Sequence, residues 1–377
     1  MRSAGALFVF AVLAQAHDPL FWGRLAPGQY DVGFRSLIAF DGSRKYDGND
    51  VRPILLDVWY PATNMRDVGL PYATYLQVPD VKGHPWFRGR LEQFTRDAVC
   101  NDLFHKKTEG ELNKEERAAF DRLLATRTAA HFEAPSAPGR FPVVLYHAGA
   151  GGSFEENFVL FEYLASRGYI VLSSAFQSPF PDSMGNNLGG IERSGPDLNF
   201  IVQQVRLWPN ADGHRLAALG HSAGAQFLLQ WIGMPKCPVR AFVSLDTTME
   251  YDQFLGMHKF MRAAIAKLTP PRIPILLFAR GEMKPRSSAF NRYLFYLPHY
   301  EAETSELTHD DFLSHGYLGR TLMDWPTADS VRRSYEEVCR MVGTFLDRSL
   351  RGDLSPDLSL VLSTPSSSIS VRFKAAH

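Results

Sequence analysis

From residue 141 onward the chain alternates short apolar runs with longer amphipathic stretches. FPVVLYH (141–147), YIVLSSAF (169–176), RLAALGH (215–221), VRAFVSLD (239–246), RIPILLFARG (272–281) and YLFYLPH (293–299) are apolar nearly throughout instead of every second position. Runs of that kind predict strands buried on both faces, as in a parallel sheet. Between them, Glu155 to Ser166, Asp197 to Leu207 and Ala223 to Ile232 read as helices, and a helix from Asp329 to Arg348 closes the domain. Strand and helix taking turns imply an α/β fold, with a mostly parallel central sheet carrying helices on both faces.

The first part of the chain is patterned differently. Tyr30 to Phe40 and Val51 to Tyr60 predict an antiparallel pair of N-terminal strands joined by the polar turn DGSRKYDGND. Residues 78–140 read as a helical insertion beside the main sheet: in EGELNKEERAAFDRLLATRTAAHF, Leu112, Ala119, Phe120, Leu123 and Leu124 share one side of a helix. Pro135, Pro138 and Gly139 end it. From Leu354 the chain, with STPSSSIS, has little to pack and is expected to be mobile. Residues 17–353 are thus expected to form one domain, with 354–377 as its tail.

The opening MRSAGALFVFAVLAQAHD has a positive Arg2, an apolar stretch from Ala4 to Leu13 and the small-x-small triplet Ala14-Gln15-Ala16. That is the pattern of a secretory signal peptide over residues 1–16, and it predicts export to the periplasm or the extracellular space. A membrane anchor needs roughly 20 apolar residues, more than this run supplies. Later segments are shorter still, so no membrane span is expected. Of 377 residues, 45% are hydrophobic and 21% charged, and Lys plus Arg balance Asp plus Glu at 40 each. The zero balance argues against nucleic acid or an anionic membrane as partner, because both select a basic face. Cys100, Cys237 and Cys339 lack the spacing of a zinc or redox motif and read as small buried residues, with at most one disulfide among them.

Candidate chemistry centres on RLAALGHSAGAQ (215–226). Gly-His-Ser-Ala-Gly directly follows one predicted strand and directly precedes a predicted helix. In that setting the turn strains the serine and raises its hydroxyl above the C-terminal edge of the sheet, where open parallel sheets bind ligands. Ser222 is therefore a candidate nucleophile. A serine needs a base, an orienting acid and donors for the oxyanion. The amide of Ala223 is one expected donor. Gly149, in the Gly-rich loop HAGAGGS (147–153) after the first buried strand, is placed to give the other, with His147 shaping the loop.

Together YHAGAGGS, DGHRLAALGHSAG, VSLDTT, THDDF and the early DVWYPAT resemble the α/β-hydrolases of the platelet-activating-factor acetylhydrolase and dienelactone hydrolase type, over roughly residues 30–350. Ala148 and Ala225 depart from the family pattern, which usually has Gly at both. The resemblance implies a Ser-His-Asp triad with no metal and no organic cofactor. Its acid falls on Asp246, at the end of the strand after the nucleophile helix; Glu282, one strand later, is the alternative acid, and Asp252 a third. Its histidine falls on His309 in ELTHDDF, with His315 as rival and His299 too near the strand. His309, Asp310, Asp311 and His315 also invite a metal reading, which the serine mechanism does not require; Asp310 and Asp311 fit a solvated helix start.

The function these residues imply is cleavage of a carboxylic ester, small-molecule or lipid, by an exported serine hydrolase through an acyl-enzyme. A cutinase-like polyester hydrolase, a peptidase of the same fold and a non-catalytic ligand-binding relative are the alternatives. Pocket walls are expected from the insertion aromatics Trp86, Phe87 and Phe104 and from the turn-rich loop Gln177 to Gly190.

Overall fold

The computed structural model describes residues 19–46, 50–63, 65, 68–80, 85–176, 188–251, 272–282, 290, 294, 297–352 and 368–375. The segment read as a signal peptide, most of the 177–190 loop, Asp252 and the side chain of Trp86 lie outside the described residues.

A short helix, α1 (Pro19–Trp22), precedes the antiparallel pair β1 (Asp31–Tyr46) and β2 (Asp50–Ala62). Both strands run further into the connecting turn than the hydrophobic pattern indicates. The insertion holds α2 (Pro85–Phe104) and α3 (Lys114–Ala125) and ends in a strand, β3 (Ala130–Phe132), which pairs parallel with β1 at the sheet edge. Helix α3 begins where Asn113 caps it: the Asn113 side chain accepts from the amides of Glu115 and Glu116, and Glu116 accepts in return from the Asn113 amide. Leu112 lies before the helix, while Ala119, Phe120 and Leu123 bury its apolar face.

The alternating half follows as β4 (Phe141–His147), α4 (Phe158–Ser166), β5 (Ile170–Ser173), α5 (Leu188–Val205), β6 (Ala211–His221), α6 (Ser222–Ile232), β7 (Ala241–Leu245), β8 (Ile275–Arg280) and β9 (His299–Thr304). Two helices, α7 (Ser314–Leu322) and α8 (Ala328–Leu346), come next, and β10 (Ser370–Lys374) ends the fold. The ten strands form one sheet in the order β10-β9-β8-β7-β6-β4-β5-β2-β1-β3. Strands β4 to β9 are mutually parallel where they pair; β2 joins β5 antiparallel and β10 joins β9 antiparallel.

Burial on both faces accounts for the unbroken apolar runs. Val144 and Tyr146 of β4 face one core with α4 and α8, while Val143 and Leu145 face a second with α5 and α6. Each fully buried Phe or Leu in these layers contributes about 1.5–3 kcal/mol.

Three expectations need correction. The described residues of YLFYLPH do not form the expected strand: Leu294 is helical, and His299 begins β9 instead of ending a strand. Pro298 lies between the two, and a proline disfavours helix in the residue before it. Helix α4 starts at Phe158, leaving Glu155 and Glu156 in the preceding turn. In the tail, Ser370–Lys374 is an edge strand, held by pairing with β9 and by the buried Ile369.

All three cysteines are free, with Cys100 and Cys339 buried and Cys237 half-buried. Burial pushes the Cys100 and Cys339 thiols up to about 12, so neither is a reactive thiolate. Among the described residues no helix is long and apolar enough to cross a membrane.

Candidate active site

At the β6–α6 junction the chain turns in a single residue. Ser222 has φ 50, a left-handed conformation that a non-glycine residue adopts only under constraint. The constraint is steric. A Cβ on Gly220 would lie 2.7 Å from the Ala225 nitrogen, and one on Gly224 would lie 2.1 Å from the His147 carbonyl oxygen. Only glycine at both positions lets α6 pack this close to β4 and to its own strand. Ala225, the departure from the family pattern, is fully buried without such conflict.

Asp246 follows β7 in an equally unusual conformation, φ 46, with its carboxylate fully buried. His309 Nδ1 donates to Asp246 Oδ2 at 2.6 Å, and the Tyr251 hydroxyl donates to Oδ1 at 2.7 Å. Arg280 Nε lies 2.8 Å from Oδ2 as an ion pair, off the line of a hydrogen bond. Burial alone would raise the Asp246 pKa, but the bond from His309 and the charges of His309 and Arg280 outweigh it and hold the carboxyl below its ordinary range. The carboxylate within hydrogen-bond reach of His309 is thus Asp246. Glu282 is exposed in the turn after β8.

The other histidines divide clearly. His221, the residue before Ser222, points its ring at His309, with ring centroids 4.6 Å apart, and its Nε2 donates to the His309 carbonyl at 3.0 Å. Burial, with the neighbouring His309 charge, lowers its pKa to about 3 and keeps it neutral. His147 stacks on Phe176 at 4.1 Å, and Ser194 lies 3.0 Å from its Nε2; burial lowers its pKa to about 4. His315 is buried and engaged elsewhere, with Asp102 on Nδ1 at 2.9 Å and Tyr72 on Nε2 at 2.9 Å.

The candidate metal cluster does not assemble as His309, Asp310, Asp311 and His315. Asp311 is buried, not solvated: Arg320 donates to both its oxygens at 2.8 and 2.9 Å, and Thr308 donates from its amide and hydroxyl. These bonds shape the loop that carries His309. His221, His309 and Asp310 do come within ligating distance of one another. One nitrogen of each ring is engaged, His221 Nε2 on a carbonyl and His309 Nδ1 on Asp246, which leaves His221 Nδ1 and His309 Nε2 as the nitrogens that face the trio.

The oxyanion loop differs from expectation in one respect. The Gly149 amide, expected to be free as a donor, instead donates to the buried carboxyl of Glu156, at 3.3 Å from Oε1. Of the aromatics expected to wall a pocket, Phe87 and Phe104 are buried in cores. Arg280, Tyr251, His221, Glu156 and the Asp311–Arg320 pair are contributors that the motifs do not announce. The histidine inside GHSAG was the one local signal.

A doubly covered, mostly parallel sheet with a strained serine between strand and helix defines the α/β-hydrolase fold. Among solved structures, a ferulic acid esterase from Streptomyces cinnamoneus superposes with a TM-score of 0.62 at 20% sequence identity, covering 92% of this chain and 98% of that one. Comparison with protein-family models finds no match, and comparison with curated proteins finds none.

Proposed function

We propose that this chain is a serine hydrolase that cleaves carboxylic esters, related to the platelet-activating-factor acetylhydrolase and dienelactone hydrolase type. The observation that carries the reading is the His309–Asp246 bond of 2.6 Å beside a nucleophile turn strained at φ 50. The ferulic acid esterase neighbour supports it at the level of fold.

In this reading Ser222 Oγ attacks the ester carbonyl carbon while His309 Nε2, the ring nitrogen left by Asp246, takes the hydroxyl proton. The oxyanion rests on the Ala223 amide and on Gly149 once that amide turns from Glu156. Collapse of the intermediate expels the alcohol, which takes the proton from His309 and leaves an acyl-serine. Water, deprotonated by His309, then attacks the acyl carbon, and the acid departs as the proton returns to Ser222. Asp246 holds the ring orientation and stabilises its charged form. No step calls for a metal or an organic cofactor. The N-terminal segment supports export, with a mature chain that starts just before α1.

Ser222→Ala tests the assignment. It is expected to abolish both hydrolysis of short p-nitrophenyl esters and labelling by a fluorophosphonate; labelling that survives the substitution refutes it. A panel running from p-nitrophenyl acetate to methyl ferulate and long-chain lipid esters then separates the substrate classes.

A further inference from the structure

Glu156 has no role in the triad, yet it is buried beside it. Its Oε1 accepts from the Tyr146 hydroxyl at 2.5 Å and from the Gly149 amide at 3.3 Å, and it lies 3.9 Å from His221 Nδ1. That His221 nitrogen is buried without a hydrogen-bond partner, and the opposite nitrogen of the ring holds the His309 carbonyl. The loop is also wrapped on the carboxyl: a Cβ on Gly152 would lie 1.9 Å from Glu156 Oε2. Gly149 itself sits over the nucleophile turn, where a Cβ would lie 3.3 Å from that of Ser222.

An N–H donates well in only one direction. While the Gly149 amide faces Glu156, the hydrolase proposed above has one oxyanion donor, Ala223, in place of two. We propose that Glu156 is a positioning residue that holds the Gly149 amide off the oxyanion site and releases it as the tetrahedral intermediate forms. The inference rests on the ester-hydrolase reading of Ser222. Two features make the exchange feasible. A 3.3 Å bond is long for an amide donor, so little is lost when it breaks. Gly149 tolerates either sign of φ, so the peptide before it can rotate in place.

The charge on Glu156 sets the strength of the hold. The groups facing it are Tyr146 from β4, the Gly149 amide, His221 from β6, Asp102 from α2 and its neighbour Glu155. Burial, then the Asp102 charge, pushes the Glu156 carboxyl well above the ordinary range and favours its uncharged form. The ionised form would hold the amide harder, because charge-assisted bonds are about twice as strong as neutral ones. Turnover then falls as the carboxyl ionises.

Two variants test this, with kcat and the second-order rate of fluorophosphonate labelling followed from neutral to alkaline pH and folding checked by thermal melts. Glu156→Met keeps the shape and removes the acceptor, and labelling is expected to accelerate about three- to tenfold, the size of one net hydrogen bond. Slower labelling by a folded Glu156→Met makes Glu156 a support, not a restraint, and overturns the proposal. Glu156→Gln cannot ionise; it is expected to match the unmodified protein near neutrality and to lose the alkaline decline. An unchanged alkaline limb in Glu156→Gln overturns the proposal even if the Met variant does not fold. If the unmodified protein never labels, the ester-hydrolase reading fails and this inference falls with it. If it labels and both variants behave like it, only the inference fails.

Discussion

Asp246 and Glu282 end adjacent strands of the sheet and are both plausible acids by sequence, so a paired substitution separates them. Asp246→Asn keeps the shape and removes the charge that faces His309 at 2.6 Å in a fully buried position. In serine enzymes the equivalent neutralisation leaves the geometry but favours the wrong imidazole tautomer, at a cost of about 10⁴ in kcat, or about 5 kcal/mol of barrier. A stability effect accompanies it. Arg280 is only 13% exposed and loses its carboxylate partner, and breaking a buried pair costs about 3–5 kcal/mol, the lower end applying to a side chain that still reaches water. The two effects are separable. Adding Arg280→Met removes the orphaned cation, so the double variant recovers melting temperature but no rate. Asp246 also makes stability depend on pH in the acid range. Its folded pKa is held below 3.8, so its contribution is present above 3.8 and lost as pH falls through the lowered value. Asp246→Asn removes this dependence. The assay is p-nitrophenyl acetate hydrolysis beside a thermal melt. Glu282→Gln, on an exposed side chain, is expected to stay within about twofold of the unmodified rate. If Glu282→Gln is the crippled variant and Asp246→Asn keeps its rate, the assignment of the acid is wrong.

Gly224→Ala places a methyl group 2.1 Å from one backbone carbonyl oxygen and 2.3 Å from another, neither of which can rotate away. Overpacking of that kind costs about 3 kcal/mol or more, and a melt within a few degrees of the unmodified protein would falsify the close-approach account of the turn. His147 is buried with its pKa lowered from 6.5 to about 4. The unfolded chain therefore binds the proton first, and stability falls as pH drops from 6.5 towards 4, by about 3 kcal/mol for this group alone. Denaturant titrations of His147→Gln across that window are expected to be flatter; an equal acid slope in both proteins rules the residue out. Chelation by EDTA is expected to leave ester hydrolysis unchanged, because the proposed mechanism uses His309, oriented by Asp246, for proton transfer and no step needs a metal. Loss of rate that added divalent metal restores points instead to the His221–His309–Asp310 trio as a real metal site.

What could be read from sequence depended on how local the determining physics is. The turn at Ser222 was legible because strand, glycines and helix lie within a dozen residues and each restricts the next. The parallel sheet was legible because burial on both faces leaves unbroken apolar runs. The Asp246–Glu282 choice was not, since two carboxylates on neighbouring strand ends differ only in where the backbone aims them, and φ 46 at Asp246 is not written in its neighbours. YLFYLPH misled for a related reason. A short apolar run carries no periodicity, so it fits a buried helix as well as a strand. Asp311 reads as a solvated acid because its partner Arg320 stands nine residues on, inside a helix that the motif THDDF does not reveal.

Glu155, Glu156, His315 and Asp102 show the same limit in a form that bears on how the site is held. In isolation each would be costly to bury. Here Tyr72 donates to Glu155 at 3.2 Å and lies 2.9 Å from His315 Nε2, whose Nδ1 meets Asp102 of α2 at 2.9 Å. Ser153 donates to Glu155 at 2.9 Å from the loop that also carries Gly149, and the His315 amide reaches the Glu156 carbonyl. Four separate stretches of chain thus meet on one buried polar network that includes Ser153 of the 147–153 loop. Removing α2 would leave His315 Nδ1 buried without its hydrogen-bond partner Asp102, at a cost of about 1–3 kcal/mol. The insertion is therefore bonded, through Asp102, His315, Tyr72 and Glu155, to Ser153 of the loop that faces Ser222, and trimming it is expected to loosen that loop.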